Sequence, residues 1–256
     1  MRLTIVQTSL VWENPNLNRQ MLTGKLAALR GLTDVIVLPE MFNTGFSMNA
    51  PALAEPMDGP SMQWLRATAS DLNAAITGSF ICVEEGQYFN RLVWMFPDGR
   101  FEVYDKKHLF GFFGEDEHFS PGQKRLMIEW RGARICPLIC YDLRFPVWSR
   151  NAPSDPFDLL IYVANWPLRR SHHWRALLLA RAIENQAFVA GVNIVGKDGN
   201  GLEYSGDSAI VDFAGQTLCQ ISGQEGVFNA ELSLPELQSY RQQLPFLKDA
   251  DAFALR

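Results

Sequence analysis

Short apolar segments recur along the chain, and residues that favour turns bound each of them. They are rich in Ile, Val, Leu and aromatic side chains, a composition typical of β-strands. The pattern predicts nine strands: Leu3–Gln7, Val35–Leu38, Ala74–Val83, Arg91–Phe96, Arg125–Ile128, Ile135–Cys140, Leu159–Val163, Phe188–Asn193 and Ala209–Phe213. Stretches of helical character lie between some of them and predict three helices: Leu17–Leu29, Gly59–Leu72 and His172–Asn185.

The order of these elements mixes strand–helix units with hairpins. Pro97–Gly99 predicts a turn between adjacent strands, and Lys197–Gly201 predicts a loop. Because strands outnumber helices, we expect a layered α/β domain with substantial sheet rather than a simple doubly wound sheet. The helix at His172–Asn185 is apolar around much of its circumference and is predicted to be buried.

Length and charge narrow the class of protein. The 256 residues allow one large domain or two small ones. No linker, low-complexity tract or internal repeat divides the sequence, so we expect a single domain over residues 1–256. Lys and Arg total 23 and Asp and Glu total 28, and the net charge of −5 argues against a broad surface for nucleic acid or anionic lipid.

Membrane insertion, secretion and metal binding have no support in the sequence. The longest apolar runs, such as Leu159–Ala164, are far too short to span a bilayer. The N-terminal MRLTIVQTSL lacks the apolar stretch and cleavage site of a signal peptide. Four cysteines are too few to cross-link a chain of this length, and no CxxC pair suggests zinc. We therefore expect a cytoplasmic protein with reduced thiols and no bound metal.

The first candidate for chemistry is Glu40, which follows the apolar strand Val35–Leu38 and Pro39. Active sites in layered α/β folds gather at the carboxyl ends of strands. A carboxylate there is suited to act as a general base. Taken alone, Glu40 fits a solvated acid at the start of a loop better than a catalytic base.

The second candidate is the basic cluster that ends the short strand predicted within Phe101–Phe110. Side chains alternate across a strand, so Lys106 and Lys107 point to opposite faces and only one of them faces the core. The alternative is a solvated pair of lysines with one salt bridge to Asp105.

The third candidate is Cys140, at the end of the apolar strand Ile135–Cys140. Pro146 suits the first turn of a following helix. A strand–turn–helix places a nucleophile at a sharp bend and directs nearby backbone N–H groups towards it. A nearby lysine would stabilise the thiolate, which is the reactive form of a cysteine. The alternative is a buried structural cysteine. The other three cysteines lie inside apolar strands and fit that alternative: Cys82, Cys136 and Cys219.

Together these segments resemble the nitrilase superfamily of carbon–nitrogen hydrolases, whose signature is a Glu–Lys–Cys triad. The resemblance is carried, in the family's order, by LPEMFNTGF, YDKKHLF and LICYDLRFP, and downstream by ARAIENQAFVAGVN and YSGDSAIVD. It implies that the triad is Glu40, Lys106 and Cys140, because the family lysine stands two residues before the histidine. It also implies a four-layer α-β-β-α sandwich and chemistry without a metal or organic cofactor.

The resemblance implies further site residues. An additional acid recurs in the superfamily after the lysine and shortly before a glycine, and Glu115 fits this position better than Glu117. The backbone N–H of Tyr141 is expected to help hold the oxyanion. Hydrolysis is expected to proceed through a thioester on Cys140, with Glu40 serving as acid and base.

CYDLRFPVWSRN and the ANWP at 164–167 resemble the omega-amidase branch of the superfamily. Those enzymes hydrolyse the terminal amide of 2-oxo acid amides such as 2-oxoglutaramate and 2-oxosuccinamate. Members commonly pair through helices beside the active site, so the resemblance implies a homodimer to which the helix at His172–Asn185 contributes.

An omega-amide of a dicarboxylic acid carries a distal carboxylate, which invites a cationic partner. Arg169 and Arg170 are candidates, although a solvated loop pair is equally compatible with their position. Arg144 is another, with structural pairing to Asp142 or to a backbone carbonyl as its alternative. Two aromatic residues are candidates for the pocket wall: Phe46 and Trp166. The four histidines are interpreted as structural or exposed rather than as a ligand set: His108, His118, His172 and His173.

Three other functions remain open at this stage. The first is a different amide or nitrile chemistry within the superfamily, that of a nitrilase, a carbamoylase or another aliphatic amidase. The second is a catalytically silent binding module on the same fold. The third is a redox protein that uses Cys136 and Cys140, although residues four apart in an extended strand are too distant for a disulfide.

Overall fold

The computed structural model describes residues 1–152 and 155–251. The strands are β1 (Arg2–Gln7), β2 (Val35–Val37), β3 (Ala75–Glu84), β4 (Gln87–Met95), β5 (Phe101–Asp105), β6 (Ile128–Trp130), β7 (Ala133–Ile139), β8 (Leu159–Val163), β9 (Phe188–Val192), β10 (Val195–Lys197), β11 (Glu203–Val211), β12 (Thr217–Ser222) and β13 (Gly226–Glu231). The helices are α1 (Pro15–Leu26), α2 (Ala50–Leu53), α3 (Pro60–Leu72), α4 (Glu115–His118), α5 (Ser171–Asn185) and α6 (Leu234–Gln243).

Two mixed sheets form the centre of the fold. One has six strands in the order β13-β1-β2-β3-β4-β5, and the other has seven, in the order β10-β11-β9-β8-β7-β6 with β12 beside β11. Helices α1 and α3 pack on the outer face of the first sheet, and α5 packs on the outer face of the second. The predicted four-layer α-β-β-α sandwich is confirmed.

The apolar runs have a simple origin in this layering. Along β1 and β2, Leu3, Ile5 and Val35 join the core between the two sheets. The alternate residues Val6 and Ile36 join the core between the first sheet and its helices. Because successive side chains point to opposite faces, a strand in an inner layer is buried on both sides and has no polar face.

Helix ends follow the local sequence. Asn14 precedes α1, and its side chain accepts a hydrogen bond of 3.1 Å from the Leu17 N–H. Helix α3 begins at Pro60, a residue suited to a first helical position. It ends before Asn73, whose φ of +52° lies in the left-handed region that asparagine tolerates. Within the described ranges, no helix combines the length and apolarity needed to cross a membrane.

The structure corrects several predicted elements. The strand predicted at Arg125–Ile128 begins only at Ile128. The helix at His172–Asn185 is predicted to be buried, but Ile183 is 54% exposed while Trp174 is completely buried, so only one face of α5 is covered. Six of these elements were not predicted, since their sequences are short or polar: β10, β12, β13, α2, α4 and α6.

Candidate active site

Three of the predicted site residues follow strand ends and meet at one edge of the sandwich. Glu40 lies three residues beyond β2, Lys106 directly follows β5, and Cys140 directly follows β7. Glu40 is completely buried and Lys106 is 1% exposed. The two sheets therefore contribute to one site, as the carboxyl ends of strands commonly do in layered folds.

Lys106 lies between two buried carboxylates. Its Nζ donates to Glu40 Oε1 at 2.8 Å and to both oxygens of Glu115, at 2.9 and 2.8 Å. Glu115 belongs to the short helix α4, and its Oε2 also accepts the Phe110 N–H at 2.6 Å. Glu117, the other candidate for the additional acid, is exposed. The structure thus brings Glu115, and not Glu117, to the lysine.

Two asparagines that the sequence analysis missed hold these carboxylates. Asn90 Nδ2 donates to Glu40 Oε1 at 2.8 Å and to Glu115 Oε1 at 3.0 Å. The Asn165 backbone N–H donates to Glu40 Oε2 at 2.8 Å, and its side chain donates to the Glu40 carbonyl at 2.7 Å. Asn90 had no signal in the sequence, whereas Asn165 lies in the ANWP segment that had been noticed only for its resemblance.

Lys107 lies on the other side of the chain. It is partly exposed and its Nζ is 3.1 Å from Gln123 Oε1, so the side-chain alternation separates the two lysines as predicted. The suggested salt bridge from a lysine to Asp105 is wrong, because Asp105 pairs with Arg91 at 2.7 Å.

Cys140 stands at a sharp bend. Its φ is +41°, in the left-handed region that costs an L-residue energy, and it is 9% exposed. The segment Cys140–Arg144 is a 3₁₀ turn. The helix expected to start at Pro146 is absent from this described segment, which continues as irregular turns. The sharp turn that presents the side chain is nevertheless present.

A buried carboxylate, Asp142, ties this turn to the lysine segment. Its Oδ2 accepts the Ile139 N–H at 3.0 Å and the Tyr104 hydroxyl at 2.6 Å. Its Oδ1 accepts the His108 N–H at 3.1 Å and faces His108 Nδ1 at 2.7 Å. Asp142 therefore binds both Tyr104 and His108, which flank Lys106, and the backbone at the start of the bend that carries Cys140.

The charges within the site shift the pKa values of its members. Desolvation lowers the pKa of Lys106, but the Glu115 and Glu40 carboxylates outweigh it and raise that pKa, so the lysine is an ammonium. Desolvation raises the pKa of Glu115, and the nearby Glu40 charge raises it further against the effect of Lys106. Burial and the Glu40 charge raise the pKa of Cys140 well above its usual value, against the opposing effect of Lys106.

A cavity opens onto Cys140. Most of its wall is aromatic or apolar, and the lining side chains include two guanidinium groups. The residues that line it are Phe46, Lys106, Phe110, Phe113, Cys140, Tyr141, Arg144, Asn165, Trp166, Pro167, Arg170, Leu202 and Tyr204. A largely apolar wall with a few polar groups suits a small organic substrate.

The predicted substrate-binding residues divide into two groups. Phe46, Arg144, Trp166 and Arg170 line the cavity, whereas Arg169 is exposed and lies outside its wall, which corrects that candidate. The physical reason is the 3₁₀ turn Leu168–Arg170, in which adjacent side chains project in different directions.

The proposed structural pairing of Arg144 with Asp142 is also wrong. Arg144 Nη2 lies 3.2 Å from His173 Nδ1, and its Cζ lies 4.5 Å from the centroid of the Trp166 ring. Asp142 binds Tyr104 and His108 instead.

The other thiols stand apart from this cavity. All four cysteines lie within the described residues and are free. Cys136 is completely buried in the core between the sheets, and burial raises its pKa to about 12. Cys219 is only partly buried on β12, which corrects its interpretation as a core residue. Over the part of the chain that the structure describes, no group of three His, Cys, Asp or Glu side chains is arranged to hold a metal ion.

Comparison with known proteins identifies the family. The sequence model of carbon-nitrogen hydrolases matches residues 2–242. The chain belongs to the carbon-nitrogen hydrolase family. The resemblance inferred from the motifs, and the prediction of a hydrolase of carbon–nitrogen bonds, are thereby confirmed.

Two relatives place this carbon-nitrogen hydrolase beside the omega-amidases. Omega-amidase YafV of Escherichia coli strain K12 is 46% identical over 256 residues, which are 100% of this chain and 98% of that protein. The 2-oxoglutaramate amidase of Bacillus subtilis is 37% identical over 220 residues, 84% of each chain. A crystal structure of XC1258 from Xanthomonas campestris, a CN-hydrolase superfamily protein with an arsenic adduct in its active site, superposes with a TM-score of 0.98 at 47% identity, covering 100% of this chain and 99% of that one.

Proposed function

We propose that this protein is an omega-amidase, which hydrolyses the terminal amide of small 2-oxo dicarboxylic acid monoamides to the acid and ammonia. The observation that carries the proposal is the placement of Lys106 between Glu40 and Glu115, beside a cavity that Cys140 also lines. Its full-length similarity to omega-amidases selects the substrate class among amides, ureas and nitriles.

The reaction starts with proton transfer from the thiol. Because the pKa of Cys140 is raised, the resting side chain is a thiol and needs a base at the moment of attack. Glu40 takes the proton while the sulfur forms a bond to the amide carbon, and the carbonyl electrons move to oxygen. The Lys106 ammonium and the Tyr141 backbone N–H stabilise that oxyanion.

The second half of the reaction releases both products. The proton held by Glu40 passes to the amide nitrogen, the carbon–nitrogen bond breaks, and ammonia leaves behind a thioester on Cys140. Glu40 then takes a proton from water, whose oxygen attacks the thioester carbon. The resulting intermediate expels the Cys140 sulfur, which recovers its proton from Glu40, so that the thiol and the carboxylate are restored. Glu115 positions Lys106 throughout, through its two short contacts with Nζ.

Substrate selection follows from the wall of the cavity. Besides Lys106, the cationic side chains that line it are Arg144 and Arg170, and we assign to these two the distal carboxylate. Phe46 and Trp166 face the short carbon chain. Neutral amides of the same length lack the charge that these arginines recognise.

The proposal also includes a cytoplasmic location and a homodimer. The chain acts as one catalytic domain in the cytoplasm, without a cofactor. It pairs with a second copy through α5, where Ile183 is 54% exposed beside a buried face. Sedimentation at micromolar concentrations tests this pairing, and a monomer that retains full activity contradicts its functional importance.

Ammonia release from a small panel tests the activity: 2-oxoglutaramate, glutamine, a nitrile and a carbamoyl amino acid. We expect the highest kcat/KM for 2-oxoglutaramate. Cys140→Ala should lower turnover by about 10⁴-fold or more with the fold intact, whereas Cys136→Ala should retain turnover. Fast turnover of the nitrile with none of the oxo-amide would exclude the omega-amidase assignment.

A further inference from the structure

Two groups on other elements hold the guanidinium of Arg144. Nη2 lies 3.2 Å from Nδ1 of His173 on α5. Cζ lies 4.5 Å from the centre of the Trp166 ring. That ring is itself anchored, because its Nε1 donates to the Arg170 carbonyl at 2.8 Å and because it packs 5.5 Å from the ring of Trp174. The guanidinium of Arg144 therefore lies against the anchored Trp166 ring and has one neighbour beside it, the His173 imidazole.

The chemistry of this contact determines the protonation state of His173. A guanidinium has donors only, so Nδ1 of His173 must accept the hydrogen bond and carries no proton. The imidazole is therefore the neutral tautomer with its proton on Nε2. Desolvation lowers the pKa of His173, and the positive charges that face it, from His172, Arg144 and Arg170, lower it further.

Arg144 keeps most of its hydrogen-bonding capacity for a ligand. One ring face and one lateral contact leave several of its five N–H groups unused. Among residues 1–152 and 155–251, Arg144 has no salt bridge to a carboxylate. The neighbouring Arg170 has none in these ranges either, and its pKa is lowered by desolvation and by the charges of Arg169 and Arg144.

We propose that His173 is a positioning residue for substrate specificity, whose unprotonated Nδ1 holds Arg144 over Trp166 in the orientation that receives the distal carboxylate. The proposal rests on the omega-amidase function and adds a residue that contacts neither the reacting amide nor Cys140. Ordering Arg144 in advance removes part of the entropy cost of binding an anion. Protonation of His173 removes the acceptor and places a like charge beside Arg144.

Two substitutions separate this role from simple packing. His173→Gln keeps an acceptor, Oε1, and does not titrate, whereas His173→Leu keeps comparable volume without an acceptor. His172→Leu is the matched control, since His172 is the exposed neighbour on the same helix. The substrates are 2-oxoglutaramate, which is anionic, and pentanamide, a neutral amide of the same chain length. Thermal unfolding verifies that each variant is folded.

At pH 7.5 we expect His173→Leu to raise KM for 2-oxoglutaramate about tenfold with kcat within about twofold of the wild type. His173→Gln and His172→Leu should stay within about twofold of the wild type in both constants, and KM for pentanamide should not change. Between pH 7 and pH 5 the wild-type KM for the anion should rise, and that of His173→Gln should not. The proposal is overturned if His173→Leu and His173→Gln raise KM for 2-oxoglutaramate equally, or if His173→Leu raises KM for pentanamide as much. It is also overturned if the wild type and His173→Gln show the same dependence of KM on pH.

A binding measurement keeps this test separate from that of the proposed function. If the wild type releases no ammonia from 2-oxoglutaramate, the omega-amidase function fails. The role of His173 is then tested by measuring the Kd for 2-oxoglutarate. The His173 variants are made in the Cys140→Ala background, and binding is followed by the quenching of tryptophan fluorescence. A Kd raised about tenfold by Leu and restored by Gln supports the proposal, and an unchanged Kd or no binding overturns it.

Discussion

The Tyr104 hydroxyl donates a hydrogen bond of 2.6 Å to Asp142 Oδ2 and joins the strand that precedes Lys106 to the turn that carries Cys140. The same hydroxyl accepts the Lys107 N–H at 3.2 Å and the Trp148 Nε1–H at 3.0 Å. Because Tyr104 is 1% exposed, water does not replace these partners. The relative placement of lysine and cysteine thus depends on a phenol that touches neither.

Tyr104→Phe should therefore lower both stability and activity. It removes a donor from a buried carboxylate and leaves two N–H groups without their acceptor, so we expect a loss of about 1–3 kcal/mol in the free energy of unfolding. Urea denaturation and kcat measure the two effects. Trp148→Phe is the comparison, because it removes only one donor from the hydroxyl and should reduce kcat less. A Tyr104→Phe enzyme with wild-type kcat contradicts a positioning role for this network.

Asn90→Leu should lower kcat much more than a comparable buried substitution away from the site, although both should destabilise the fold. The substitution deletes both hydrogen bonds by which Asn90 holds Glu40 and Glu115, so two buried carboxylates lose a donor. We expect kcat to fall about 100-fold, which corresponds to about 2.7 kcal/mol in the barrier.

Asn151→Leu provides the control for that variant. Asn151 is also buried, but it bonds to Asn185 and Phe157 rather than to the site. It should lose a similar amount of stability, about 1–3 kcal/mol, and retain kcat within about twofold. Equal losses of kcat in the two variants indicate that Asn90 matters only for folding.

The two adjacent lysines should differ sharply. Lys106→Ala removes the charge that faces the oxyanion and leaves two carboxylates uncompensated, so kcat/KM should fall about 10²–10³-fold. Lys107→Ala removes a partly exposed side chain and should change kcat/KM less than about twofold. Steady-state kinetics on one amide substrate compare them. Equal losses exclude Lys106 as the lysine of the triad.

Glu225 should make stability sensitive to acid. Its carboxylate accepts the Ser9 N–H at 2.9 Å and binds Lys25 Nζ at 2.7 Å. Desolvation raises its pKa, but the hydrogen bonds from Lys25 and Ser9 outweigh this effect and lower the pKa from 4.5 to about 2. The folded state therefore favours the carboxylate, and the stabilisation is present above pH 4.5 and lost as the pH falls towards 2.

Urea denaturation of the wild type and Glu225→Gln at several pH values checks this effect. The difference in unfolding free energy between them should be largest near neutral pH and should shrink between pH 4.5 and pH 2. A difference between wild type and Glu225→Gln that is independent of pH contradicts the prediction.

Some features of this protein are determined locally and could be predicted from the sequence. The apolar runs of the inner strands follow from burial on both faces, and Lys106 and Lys107 separate because neighbouring side chains on extended chain point apart. The motifs around Glu40 and Cys140 also marked positions close to the ends of strands. These inferences need only the geometry of a few consecutive residues.

Other features depend on which segments lie side by side. Asp105 pairs with Arg91 because β4 and β5 place them opposite each other. Arg169 lies outside the cavity that Arg170 lines, because the 3₁₀ turn Leu168–Arg170 directs the two side chains differently. Strands β12 and β13 are apolar at only half of their positions, and they form by pairing with β11 and β1.

The residue pattern by itself predicted most of the inner strands and a layered α/β domain, and the family resemblance of the motifs implied the four-layer class and the identity of the residues at three strand ends. The tertiary structure alone decided that Asn90 bridges Glu40 and Glu115, and that Asn165 meets Glu40 across 125 residues. Strand preference and side-chain alternation act over neighbouring residues, whereas a hydrogen bond between distant segments depends on sheet order and register, which no local pattern specifies.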